Sequence, residues 1–224
     1  MTYDKRIDWD DLPHDDKVGH GREGLVLRLD KRRCVKVYSP ERAFRAEDEF
    51  NNYGRLRDAG FLVPEAEEFV EVHIGGRRVE LPGKCEFMGI GLYHFDDVES
   101  VPGIIKEFFP GVPYGRKKPN LKDIRGLIDY LNRLHAEGFT FDDGIAPDFI
   151  SSDRGTALVD CSTLMDKVEC EQRFNDGFEY ASPSYQRRIW SDLTSELRYN
   201  GFMTLGFDVR LTVAKWMSER KNAR

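Results

Sequence analysis

The hydrophobic period of the chain changes once, and that change limits the architectures open to it. Up to Phe109 the apolar residues mostly alternate, as in Leu25-Val26-Leu27-Arg28-Leu29 and Cys34-Val35-Lys36-Val37-Tyr38. Two alternating, β-branched runs joined by the polar turn Asp30 to Arg33 predict a β-hairpin. One helical stretch interrupts this half, from about Pro40 to Gly60. There Phe44, Phe50, Tyr53 and Leu56 fall roughly on one stripe, and Gly60 is placed to cap the C-terminus. Strand-like pieces return at Glu68 to Ile74, Arg77 to Leu81, Cys85 to Phe95 and Ile104 to Phe109, punctuated by Gly75-Gly76 and Pro110-Gly111. Beyond the Pro- and Gly-rich stretch Pro110 to Pro119, Leu121, Ile124, Leu127, Ile128, Leu131, Leu134 and His135 recur at helical spacing, and Gly138 ends that helix. Short apolar pieces follow at Phe149-Ile150 and Ala157 to Val159, then helical patterns near Tyr185–Tyr199 and Val209–Arg220. Mostly strands with one helix, then mostly helices, predicts an α+β chain of two lobes. The expected division is an N-terminal arm at 1–17, an N-lobe at 18–111 with an antiparallel sheet, and a mostly helical C-lobe at 112–224.

Composition narrows the classes of function. The chain has 224 residues, with Lys+Arg 34 against Asp+Glu 40 and a formal charge of −6. A net negative chain is a poor partner for duplex nucleic acid, whose binding draws on phosphate neutralisation. No apolar run reaches the ~18 residues of a membrane span, and the opening residues are polar and acidic, unlike a signal peptide. Cys34, Cys85, Cys161 and Cys170 are widely spaced without a Cys-x-x-Cys pair. They are expected to be reduced thiols, and the protein cytoplasmic or delivered into a host cytosol.

Three groups of residues carry chemistry. Gly19, Gly21, Gly24 and Val26 spell G-x-G-x-x-G-x-V. A plain glycine-rich turn accounts for that run alone, but its setting excludes two other phosphate loops. No apolar strand precedes it and no helix follows, as a dinucleotide fingerprint requires, and no Gly-Lys-Ser/Thr closes it. Lys36 stands inside the apolar strand Val35-Lys36-Val37, where it is either a solvent-facing edge residue or an ammonium reserved for phosphate. The second role needs a carboxylate to fix it. Glu49 in the helix suits that role, with Glu47 and Asp48 as competitors. The third group is Asp143, Asp148 and Asp160, set after Gly138 and after the Ala157-Leu158-Val159 run. One carboxylate to orient a hydroxyl and oxygen ligands for magnesium are what phosphoryl transfer requires.

Taken together, these motifs resemble those of the protein-kinase-fold phosphotransferases, over about residues 18–165. Gly19, Gly21, Gly24 and Val26 are similar to the Gly-rich loop, Cys34-Val35-Lys36 to the Val-Ala-Ile-Lys strand, and Glu49 to the helix glutamate that pairs with its lysine. The resemblance implies that Glu107 and Phe109 meet adenine through their backbone. It implies that Asp143 is the catalytic-loop aspartate, and that Asp148 and Asp160 bind Mg as the loop asparagine and the Asp of Asp-Phe-Gly do. A weaker likeness extends to Tyr180 to Ser184 and to Asp192.

Departures from the family pattern accompany these matches. Phe141-Asp142-Asp143 stands for His-Arg-Asp, Asp148 for asparagine, Cys161-Ser162 for Phe-Gly, and Ile145 for the usual lysine. Few residues follow Asp160, so the C-lobe is reduced. The implied activity is ATP- and Mg-dependent phosphoryl transfer, with a protein hydroxyl as acceptor and therefore a protein substrate as partner. The alternatives are a pseudokinase acting as a scaffold and a small-molecule kinase, the latter usually needing a larger helical C-lobe.

Overall fold

The computed structural model describes residues 2–20, 23–76, 98–113, 121–141 and 149–166, with 168, 172 and 175. The chain divides into two units. The first comprises Met1–Arg55 and Pro64–Phe109; the second takes Leu56–Val63 and the chain from Pro110 onward. The expected α+β class is present.

The first unit is built on six strands: β1 (Lys5–Asp8), β2 (Lys17–His20), β3 (Gly24–Arg28), β4 (Arg33–Tyr38), β5 (Ala66–His73) and β6 (Ser100–Glu107). Their spatial order is β1-β5-β6-β4-β3-β2. The helix α1 (Ala46–Asp58) lies between β4 and β5 in sequence, entered through a 3₁₀ turn at Pro40–Arg45. The β3–β4 hairpin forms as its alternation predicts, pairing Leu25 with Val37 and Val26 with Lys36. Strand β4 then pairs antiparallel with β6, setting Lys36 opposite Ile104.

Strand periodicity sorts these residues onto two covered faces. Leu25 and Leu27 of β3, Val35 and Val37 of β4, Val70 and Val72 of β5, and Val101 and Ile105 of β6 share one buried cluster. The alternate positions Tyr38, Phe69 and Ile104 form a second cluster with Ala46 of α1, joined by Phe50. Lys36 and Lys106 occupy the same alternate positions on β4 and β6, and both are buried. A lysine inside an apolar strand is thus not on a solvent face here, because both faces of the central strands are covered.

Residues 1–17 are not an arm. Strand β1 pairs in parallel with β5, Lys5 opposite Val70 and Ile7 opposite Val72, which makes the sheet mixed and not wholly antiparallel. Asp4 seals the join: its N–H donates to Phe69 O at 2.8 Å, and its carboxylate accepts the Phe69 N–H at 2.8 Å. Trp9 and Leu12 are buried in the Val70–Val72 cluster. The acidic residues around them (Asp8, Asp10, Asp11) hide these two apolar anchors from any periodicity count.

Two further details depart from local sequence patterns. Phe44 lies in the 3₁₀ turn and is 62% exposed, and the buried residues of α1 are Ala46, Glu49, Asn52, Tyr53 and Leu56. Pro102 and Gly103, usually loop signals, lie inside β6. The β4 pairing ends at Val37 opposite Gly103, so Pro102 lies beyond that ladder. A Cβ on Gly103 would sit 3.1 Å from the methyls of both Val70 and Val72.

Within the second unit the helix α2 (Leu121–Ala136) follows β7 (Val112–Pro113) and precedes β8 (Phe139–Phe141), β9 (Phe149–Ser152), β10 (Gly155–Leu158) and β11 (Leu164–Asp166). Leu127, Leu131 and Leu134 are buried as their spacing predicts, and Tyr130 joins them. The segment 56–63 docks on this helix. Tyr130 donates to Leu62 O at 3.0 Å, Arg133 donates to Gly60 O at 3.1 Å, and Phe61 packs 5.2 Å from the Tyr130 ring. Burial pushes the Tyr130 phenol well above its usual range. Both helix ends read as expected. Gly60 has φ 77° and Gly138 φ 84°. At Gly60 the amide of Phe61 reaches back to Leu56 O and that of Gly60 to Arg57 O, the paired bonds of a Schellman cap.

Cys34 and Cys161 are buried. The predicted strands at Arg77 to Leu81 and Cys85 to Phe95, Cys170, and the helices near 185–199 and 209–220 lie outside the described residues. No helix among the described residues is long and apolar enough to cross a membrane.

Removing the indole at position 9 tests the place of the N-terminal segment. Trp9→Ala should lower the unfolding free energy by about 3–5 kcal/mol, the usual cost of deleting a buried Trp, measured by urea denaturation. A loss below about 1 kcal/mol would return residues 1–17 to the status of an arm.

Candidate functional site

The first unit buries a carboxylate where its sheet faces α1. Glu49 is fully buried, and Lys36, Tyr38, Tyr53 and Lys106 around it are buried. Its position follows from helix spacing: Glu49, Tyr53 and Leu56 are three and four residues apart and lie on one face. Glu47 and Asp48, the competing acids, point the other way and are exposed.

Each oxygen of Glu49 accepts twice. Oε2 receives the Lys36 ammonium at 2.6 Å and the Tyr38 hydroxyl. Oε1 receives the Tyr53 hydroxyl at 2.7 Å and the Lys106 ammonium at 3.3 Å. Four donors fill the four lone-pair directions of one carboxylate, and they come from β4, α1 and β6. Lys106 also donates to the Tyr53 hydroxyl. The lysine nitrogens stand 4.8 Å and 4.7 Å from the ring centroids of Tyr38 and Tyr53 respectively, within cation–π range.

A second carboxylate also reaches Lys36. Glu23 Oε2 lies 3.0 Å from Lys36 Nζ, and Glu23 Oε1 lies 3.9 Å from Arg45 Nη1. Lys36 therefore lies between two carboxylates, Glu23 and Glu49, and shares the second with Lys106. Removing ions from water costs several kcal/mol each, and only pairing with hydrogen bonds to the remaining sites offsets it. On the same face Cys34 has its thiol pushed up by burial, against a smaller opposing influence of the Lys106 charge.

Of the residues predicted from the sequence, the structure brings Lys36 and Glu49 into contact, with Val26 opposite Lys36 in the β3–β4 ladder. Gly19 lies in β2 and Gly24 opens β3. Gly24 has a packing reason to be glycine, since a Cβ there would meet Val37 O at 2.1 Å. Gly21 lies outside the described residues. Glu107 ends β6, and its N–H is used inside the fold, donating to Glu65 O at 2.8 Å; Phe109 follows and is buried. Asp160 belongs to the second unit, two residues past β10, where its Oδ1 accepts the Ser162 N–H at 3.2 Å. Asp143 and Asp148 lie outside the described residues, in the segment between β8 and β9. So do Ile145, Tyr180 to Ser184, and Asp192.

Sequence reasoning missed Glu23, Tyr38 and Lys106 and took Tyr53 as apolar filling. One signal was available: Lys106 stands two residues after Ile104, so strand alternation puts both on the face that also carries Lys36. Glu23 gave no comparable sign, since its approach to Lys36 depends on hairpin pairing and not on spacing.

The network makes a graded stability prediction. Glu49→Ala strands two buried ammoniums and should cost about 3–5 kcal/mol. Tyr53→Phe removes one donor and should cost about 1–3 kcal/mol, while Glu47→Ala and Asp48→Ala stay within about 0.5 kcal/mol. Chemical denaturation of the four variants checks the order; equal losses for Glu47 and Glu49 would contradict it. No protein-family model matches the chain, and no curated protein does, so the functional reading rests on this geometry.

Proposed function

We propose that the chain is a kinase-like phosphotransferase of two lobes, moving the γ-phosphoryl of ATP, with magnesium, to a serine or threonine hydroxyl of a protein. The observation that carries this reading is the buried Lys36–Glu49 pair at 2.6 Å. A buried ion pair is seldom needed for stability, since apolar side chains of like volume serve as well or better. A carboxylate that holds an ammonium at one point on a sheet is, by contrast, what positioning a polyphosphate demands. The sequence context agrees: the pair follows the G-x-G-x-x-G-x-V run, and β3, which carries Gly24 and Val26, is the neighbour of the lysine strand.

The donor set suits a nucleotide triphosphate in this respect. Lys36 would contact the phosphates, oriented by Glu49, with Gly19, Gly21, Gly24 and Val26 as the covering loop and Glu107 and Phe109 toward the adenine. Asp148 and Asp160 would hold magnesium through carboxylate oxygens, the hard donors that ion prefers. Magnesium supplies neutralisation of charge on the transferring phosphoryl group. Asp143 would accept the proton of the acceptor hydroxyl.

One observation favours the scaffold alternative: the Lys36 ammonium already carries a second carboxylate, Glu23. A pseudokinase reading takes that contact as permanent.

Incubation of the purified full chain with radiolabelled ATP and magnesium, with casein as acceptor and mass-spectrometric mapping, separates the readings. Labelled serine or threonine is expected. Asp160→Ala and Lys36→Met, checked for folding by circular dichroism, should lose at least about 100-fold of the rate. Full activity in folded Asp160→Ala would overturn the assignment of that residue. An ATP-induced rise in melting temperature without any labelling would favour the scaffold.

A further inference from the structure

The two carboxylates on Lys36 are held very differently. Glu49 has no solvent contact, and its departure would strand two ammoniums and two hydroxyls inside the fold. The Glu23 side chain retains 14% exposure and has one close partner, the Lys36 nitrogen at 3.0 Å. Its main chain is fixed, because Glu23 O accepts the Ser39 N–H at 2.8 Å, and Gly24 next to it is packed against Val37 O. Rotation of the side chain alone therefore suffices to release the ammonium. Arg45 Nη1 is already 3.9 Å from the other Glu23 oxygen, an ion pair that persists when Glu23 turns toward it.

We infer that Glu23 is a built-in competitor at the phosphate-binding ammonium. An incoming polyphosphate exchanges with the Glu23 carboxylate and not with Glu49, and the displaced carboxylate turns to Arg45. The pairing of the ammoniums supports this direction. With Glu23 in place, Lys36 holds two carboxylates, Glu23 and the Glu49 it shares with Lys106. With Glu23 turned away, Lys36 and Lys106 share Glu49 alone, which leaves donor capacity on Lys36 in a nearly water-free setting, where an anionic oxygen is attracted far more strongly than in water. The exchange lowers apparent nucleotide affinity by the fraction of molecules in which Glu23 has left Lys36. This inference rests on the phosphotransferase reading and adds to it a residue that sets nucleotide affinity. It also turns the Glu23 contact from a mark of a dead site into a reversible one.

The test is titration calorimetry of the full-length protein with magnesium ATP and, separately, with tripolyphosphate. Glu23→Gln, which keeps the shape and removes the charge, should bind both about tenfold tighter than wild type, as expected for a releasing state populated at about 10%. Arg45→Gln, which removes the receiver, should bind both about threefold more weakly. Should Glu23→Gln fail to fold, Glu23→Asp, shorter by one methylene, carries the same expectation of tighter binding. Wild type binding ATP with the Glu23 variant equal or weaker would overturn the inference and leave the phosphotransferase reading standing. Absence of binding to either ligand by both proteins would overturn the two together.

Discussion

One carboxylate organises the first unit. Glu49 reaches from α1 into the space over β4 and β6 and there accepts from Lys36, Tyr38, Tyr53 and Lys106. In a low-dielectric setting an incomplete network of this kind costs more than an apolar replacement, and a complete one specifies a single arrangement. All four lone-pair directions of Glu49 are used, so α1 has one rotation and one height at which the charges close. The position of Lys36 then follows from the helix as much as from its own strand.

That arrangement depends on covering both faces of the central strands. One face of β4 and β6 packs into the cluster that includes Trp9 and Leu12, and the other lies under α1. Parallel pairing of β1 with β5 extends the sheet on the side where the N-terminal residues fold back. Without the apolar cover on the first face, the strands would have water on one side, and the charged face would lose the rigid backing that keeps Lys36 and Lys106 in reach of Glu49.

Much of this could be read before any coordinates, and the parts that could not share a physical cause. The β3–β4 hairpin, the glycine caps at Gly60 and Gly138, and the apolar stripe of α2 are local, governed by alternation, helical period and left-handed glycine conformations. The Lys36–Glu49 contact was readable because strand, turn and helix follow one another directly. What escaped detection is non-local. Trp9 and Leu12 find their partners some 60 residues away, as the pairing of Lys5 with Val70 requires. Pro102 and Gly103 look like a turn until β4 and β5 are placed beside them. Glu23 and Lys106 are surface-type residues by composition, and only the pairing of three strands brings Glu23 to Lys36 and Lys106 to Glu49. Asp143 and Asp148 entered through family resemblance, and their roles stay within the proposal.

In the proposed function the Lys36 ammonium is the phosphate contact of a nucleotide site. An ATP analogue bearing an acyl phosphate, which transfers its acyl group to a lysine amine lying against the phosphates, tests this directly. Acylation at Lys36 is expected, found by peptide mass spectrometry and suppressed by excess ATP. Labelling spread over surface lysines, with Lys36 untouched and ATP without effect, would contradict it.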